Sequence, residues 1–177
     1  MFTAINVLCR QFFQVCLLQR KPQDLPASCT LLILCVVFYT AVNVLLSLHK
    51  VTVVKALQAS FLESLLIVII TIAILRFSRR QERWLQTLTA LVGTGCIMSL
   101  MALPIFYVST LSSTDALLRV IIFFLYMGLL VWNITVMAHI LRHALDTSFV
   151  FGVIFALTYI FITSILINLV IPELEAA

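Results

Sequence analysis

Five long apolar runs, parted by short breaks that carry most of the charged residues, fill nearly all of the chain after Ser28. A hydrocarbon layer of about 30 Å takes roughly 20 helical residues at about 1.5 Å each, and every run has that length. Water cannot solvate so much apolar surface. Of the 177 residues, 63% are hydrophobic and 10% charged, where soluble domains carry about 25% charge. The expected fold class is all-α: a polytopic membrane protein, a five-helix transmembrane bundle preceded by an N-terminal amphipathic interfacial helix. Barrel strands would instead alternate in segments of about ten residues.

The breaks set the boundaries. Pro22 and Pro26 end the first segment, and Ser28 can cap the next helix by accepting a free first-turn N–H. Spans are expected at 28–48, 56–75, 84–108, 116–138 and 148–171, with Pro172 closing the last. Residues 1–27 then form an N-terminal helix and Pro-containing linker, 28–171 the transmembrane domain, and 172–177 a short acidic tail. On a helix, Thr3, Asn6, Arg10 and Gln14 share one face and Ile5, Leu8, Phe12 and Val15 another. That pattern suits a helix lying in the membrane interface, or one packed on the end of the bundle.

Charge gives the orientation. Arg76, Arg79, Arg80 and Arg83 form the densest basic cluster. With that loop in the cytoplasm, Arg10, Arg20, Lys21 and Arg142 fall on the same side, leaving Lys50, Lys55 and Arg119 opposite. The N-terminus is expected inside and the C-terminus outside; the bacterial inner membrane is what the resemblance given below implies. The net charge of +4 is thus a topology signal, and no nucleic-acid partner follows from it. Cys9, Cys16, Cys29, Cys35 and Cys96 show no zinc spacing and read as small apolar residues.

Glu63 is the one acidic group inside a span. A mid-span charge costs roughly 2.5–3.5 kcal/mol on the insertion scale, which the apolar residues of the same helix offset. A partner facing the bundle interior is the default expectation. Arg119, four residues inside the outer end of the fourth span, is the leading candidate. Asp115, at i,i+4 from Arg119, could hold that guanidinium instead, and Glu63 could be neutral. Asn43, Ser47, Ser60, Ser64, Tyr126, Asn133, Ser164 and Asn168 add polar groups expected at comparable or deeper levels. Asn43, Glu63, Arg119, Tyr126 and Asn168 make the expected intramembrane cluster, read either as a polar pocket or as interhelical hydrogen bonding.

In the third span, Thr89, Gly93 and Cys96 form one small-residue stripe and Gly95, Ser99 and Ala102 another, so neighbours can approach on both sides and this helix should be central. Pro104 is expected to kink it. Gly152 and Ala156 offer the fifth span a similar contact. His139 and His143 stand at i,i+4 with Arg142 between. They read either as half of a metal site lacking further ligands, or as cations suited to a helix C-terminus. Asp146 is expected to cap the last span. Neither a nucleophile elbow nor a phosphate loop, dinucleotide fingerprint or carboxylate pair is present, so no catalytic residue and no cofactor is expected.

Pro-Gln-Asp-Leu-Pro-Ala-Ser (22–28), Leu-Gln-Thr-Leu-Thr-Ala-Leu-Val-Gly-Thr-Gly (85–95) and His-Ile-Leu-Arg-His-Ala-Leu (139–145) resemble segments of a family of small Gram-negative inner-membrane proteins of uncharacterised activity. The layout, with an N-terminal helix, five spans, a late proline in the third and a Trp132-containing span before a basic segment, is similar to bacterial Yip1-type proteins. That resemblance implies a non-enzymatic, partner-binding or membrane-organising role, with the lipid bilayer and a membrane or cytosolic protein as partners. The rival reading is a small permease, or a subunit of one, using Glu63 and Arg119. Five spans do not divide into two equal repeats, so a homo-oligomer would have to complete a path.

Overall fold

The computed structural model describes residues 2–48, 51–111 and 116–170. Six α-helices follow in order: α1 Phe2–Cys16, α2 Cys29–Ser47, α3 Val53–Phe77, α4 Trp84–Leu111, α5 Ala116–Leu145 and α6 Phe149–Val170. Short 3-10 turns at Pro22–Asp24 and Gln81–Arg83 precede α2 and α4. Five helices are long and apolar enough to cross a membrane, so the chain is a multi-pass integral membrane protein. Lys50, Asp115, with its pairing to Arg119, and the acidic tail from Pro172 onward lie outside the described residues.

Helix α4 is the hub, packed against α1, α2, α3 and α5, while α6 joins α5 to α3. Small residues make this possible. A Cβ on Gly93 would stand 2.7 Å from Phe12 Cδ1 of α1, and one on Gly95 would stand 2.9 Å from Tyr39 Cε2 of α2. Gly152 and Ala156, both buried, let α6 close onto α5, where a Cβ on Gly152 would overlap the Ala138 carbonyl oxygen. Pro104 is carried inside α4, which continues to Leu111.

Helix α1 turns its apolar face to the protein. Phe12, Val15 and Cys16 are buried, whereas Asn6 and Arg10 are exposed. Phe12 fills the notch over Gly93, and the Trp132 indole donates to the Cys16 carbonyl at 2.9 Å. Both contacts lie well above the ends of α4 and α5, so α1 crosses the flank of these helices. Between the two readings of its amphipathic pattern, the bundle takes the apolar face.

The linker then descends along α5, as His139 Nε2 meets the Arg20 carbonyl at 3.0 Å and Gln23 Nε2 donates to the His143 carbonyl at 2.6 Å. These contacts correct the expected end of the fourth span at residue 138. Helix α5 runs on to Leu145 because the linker and Arg83 satisfy its last turns: Arg83 Nη1 donates to the carbonyls of His143 and Ala144 at 3.2 and 3.4 Å. Ser28 caps α2 as expected, accepting from the Leu31 N–H at 3.4 Å.

Three helices end in left-handed residues that are not glycine: Leu18 after α1 at φ 63°, Arg79 after α3 at φ 55° and Asp146 after α5 at φ 52°. In each case the next N–H reaches back five residues, Gln19 to Gln14, Arg80 to Leu75 and Thr147 to Arg142. These are Schellman closures, which satisfy carbonyls the helix itself leaves open.

Candidate functional site

Tyr39, Glu63, Gly95 and Tyr159 each lie within two residues of the middle of their spans, Cys29–Ser47, Val53–Phe77, Gln81–Ser109 and Phe149–Val170. At this level the bundle does not fill. A cleft of about 290 Å³ opens among α2–α6. Its floor is formed by Tyr39, Glu63, Thr94, Ser99, Asn133, Tyr159 and Thr163, and apolar residues such as Leu46, Ala102 and Phe106 rise from it along the halves of α2 and α4 nearer the Val53 end of α3. Tyr126 stands beside Phe106, edge to face at 5.7 Å between ring centroids.

Glu63 accepts a hydrogen bond from the Tyr39 hydroxyl at 2.8 Å through Oε1. No hydrogen bond among the described residues reaches its other carboxylate oxygen. Among the described residues the lining contains no Lys, Arg or His and no second acid. Nearby, the Tyr159 hydroxyl and Thr163 Oγ1, one turn apart on α6, are buried without a hydrogen bond of normal geometry. Asn43 Nδ2, Ser60 Oγ and Thr89 Oγ1 are buried in the same way, so the orphan hydroxyls do not single out the cleft wall.

Arg119 is not the partner of Glu63. Helix α3 begins at Val53, three residues earlier than expected, which puts Glu63 ten residues in, about 15 Å at helical rise. Arg119 is three residues into α5, exposed, and absent from the cleft lining. The two charges sit at different depths, and Tyr39, already at the right level, takes the carboxylate.

The remaining polar residues divide into two groups. Asn43 is buried and accepts from Ser99 Oγ at 3.1 Å, and Thr40 and Ser64 share a hydrogen bond of 2.8 Å, so these join α2 to α4 and to α3. Ser64 and Ser47 also donate back to the Ser60 and Asn43 carbonyls at 2.8 and 2.9 Å. Tyr126 and Asn133 do line the cleft, whereas Asn168 and Ser164 do not. The sequence signal on α6 lay on the wrong face. Tyr159 and Thr163 form an i,i+4 pair like Ser164 and Asn168, five positions earlier and so about 140° round the helix, and only the former lines the cleft.

At the other end, the basic cluster is split. Arg80 and Arg83 converge on Asp146 Oδ2 at 2.9 and 3.0 Å, and these bonds, with the Arg83 hydrogen bond leading, hold the Asp146 carboxyl below the usual range. Asp146 therefore latches two loops together, where the sequence pattern predicted a cap on α6. Arg76 and Arg79 are exposed, with Phe77 between them 92% exposed. His139 and His143 meet edge to face at 4.7 Å, His139 on the Arg20 carbonyl and His143 Nε2 3.1 Å from Arg142 Nη2. Among the described residues no third donor gathers there to complete a metal site.

Comparison with known families, with curated proteins and with solved structures finds no match for this chain.

Proposed function

We propose that this five-span protein binds a small solute within the membrane, as a small carrier or the binding subunit of one, and that it is not an enzyme. One observation carries the reading: a carboxylate at the middle of its span, hydrogen-bonded among the described residues by a tyrosine, faces a cleft lined by Tyr, Thr, Ser and Asn side chains. Ionisable groups inside membranes mark substrate or ion paths when they face a cavity, and carrier sites lie near the bilayer midplane.

A thermal-shift screen of the detergent-purified protein against small solutes tests this, because a ligand that binds the folded state raises its melting temperature. Stabilising solutes should lose their effect on Glu63→Gln, while the variant keeps its gel-filtration profile. Hits that stabilise wild type and Glu63→Gln equally would move the site elsewhere.

A second reading has its own observation. Arg76, Phe77 and Arg79 project from the bundle end while Arg80 and Arg83 are engaged, which favours contact with anionic lipid or a partner protein, each basic residue adding about 1 kcal/mol near such a surface. This is the membrane-organising role that the Yip1-type resemblance implies. The same charges support an inner-membrane orientation with this end in the cytoplasm and the C-terminus in the periplasm. A C-terminal reporter fusion active in the cytoplasm would reverse that sidedness.

A further inference from the structure

The geometry points to a ligand class and a coupling at this site: the cleft binds a compact aromatic or aliphatic organic ammonium in one-for-one exchange for a proton carried by Glu63. The inference rests on the solute-binding reading above and narrows it.

Charge comes first. From α2 the Tyr39 phenol faces Glu63, from α6 the Tyr159 phenol shares its cleft, α4 adds the Thr94 and Ser99 hydroxyls, and α5 adds Tyr126. All of these are neutral side chains, and none of the lining is basic. An anion would therefore meet a carboxylate and no counter-charge. A lone carboxylate at mid-span is expensive to keep ionised, so the centre has two cheap states. In one, Glu63 is a neutral acid; in the other, its carboxylate is neutralised by a bound cation.

Shape and lining choose among cations. A cavity of about 150 Å³ holds benzene, so the cleft, at about 290 Å³, takes a molecule roughly twice that size. The side chains of Tyr39, Tyr126, Tyr159 and Phe106 line it, and aromatic rings attract alkylammonium groups. A strongly hydrated metal ion would find one carboxylate and mostly apolar walls, a poor exchange for its water shell.

The step balances. The arriving ammonium displaces the proton from the Glu63 carboxyl to water, only that O–H bond breaks, and the centre stays neutral before and after. Release runs in reverse, with a proton returning to the carboxylate.

Titration calorimetry on the full-length protein in nanodiscs, with benzyltrimethylammonium as probe, tests this in paired buffers of different ionisation enthalpy. We expect saturable binding with about one proton released, and apparent affinity falling about tenfold for each pH unit below the carboxyl's own titration, as linkage requires. Glu63→Gln should abolish cation binding while gel filtration shows it folded. Cation binding without proton release would overturn the exchange. Binding of the neutral dimethylbenzamide but not of the cation would overturn the ligand class while leaving a solute site. Failure of both probes would overturn the site itself.

Discussion

The Tyr39 hydroxyl reaches across from α2 to Glu63 Oε1 on α3 at 2.8 Å, at the level where Gly95 of α4 gives the Tyr39 ring room to stand. A small residue on one helix thus positions a phenol of the second against the acid of the third. Tyr39→Phe removes that donor and leaves the carboxyl without its hydrogen bond, a cost of about 1–3 kcal/mol. A double-mutant cycle of Tyr39→Phe with Glu63→Gln, read by unfolding in detergent, should give coupling of about 0.5–3 kcal/mol. Additive effects would mean that the bond contributes nothing.

Gly93 should tolerate no side chain while Phe12 is present. Gly93→Val overlaps the Phe12 ring, and overpacking of this kind costs about 1–3 kcal/mol. The expected response is undocking of α1, which thiol chemistry can read. Cys16 is buried, and burial pushes its thiol up to about 11, so at neutral pH it should resist maleimide while exposed Cys9 reacts. Gly93→Val should make Cys16 reactive, and adding Phe12→Ala should protect it again. Equal labelling of Cys16 in wild type and variant would contradict the docking.

The left-handed residues predict a gain. Leu18 at φ 63° and Arg79 at φ 55° adopt a conformation that glycine enters without steric cost. Leu18→Gly or Arg79→Gly should each stabilise the fold by about 1 kcal/mol. A lower melting temperature in both would show that the side chains matter more than the backbone.

Acid should open the latch at Asp146. Its folded carboxyl lies below the ordinary range because Arg83, foremost by its hydrogen bond, and then Arg80 favour the charged form. The contribution is therefore complete above the ordinary carboxylate range and is lost as pH falls through the lowered folded value. Melting curves from pH 7 to pH 3 should show wild type losing its advantage over Asp146→Asn towards the acid end. Parallel curves would remove the ion pairs from the stability of this end.

The five spans were legible because lipid imposes a length and a composition that local sequence must meet, and Ser28 and the small stripes of α4 were readable for similar reasons of capping and close approach. What failed were statements about depth and rotation. Placing the start of α3 three residues late raised Glu63 towards Arg119, and choosing Ser164 and Asn168 over Tyr159 and Thr163 was a rotation of about 140°. Neither error has a local signature, because both depend on which face the neighbouring helices bury. The fate of the arginines was equally hidden: Arg80 and Arg83 differ from Arg76 and Arg79 only in lying within reach of Asp146, 63 residues beyond Arg83.

The tie between Trp132 and the carbonyl that ends α1 joins residues 116 positions apart. At about 5–20 residues per second of translation, the first helix leaves the ribosome roughly 6–23 seconds before its anchor exists. Until α4 emerges with Gly93, its greasy flank has only the bilayer surface or a chaperone to rest on. The amphipathic pattern of α1 thus serves two successive partners, lipid while the nascent chain grows and protein once the later helices have been inserted.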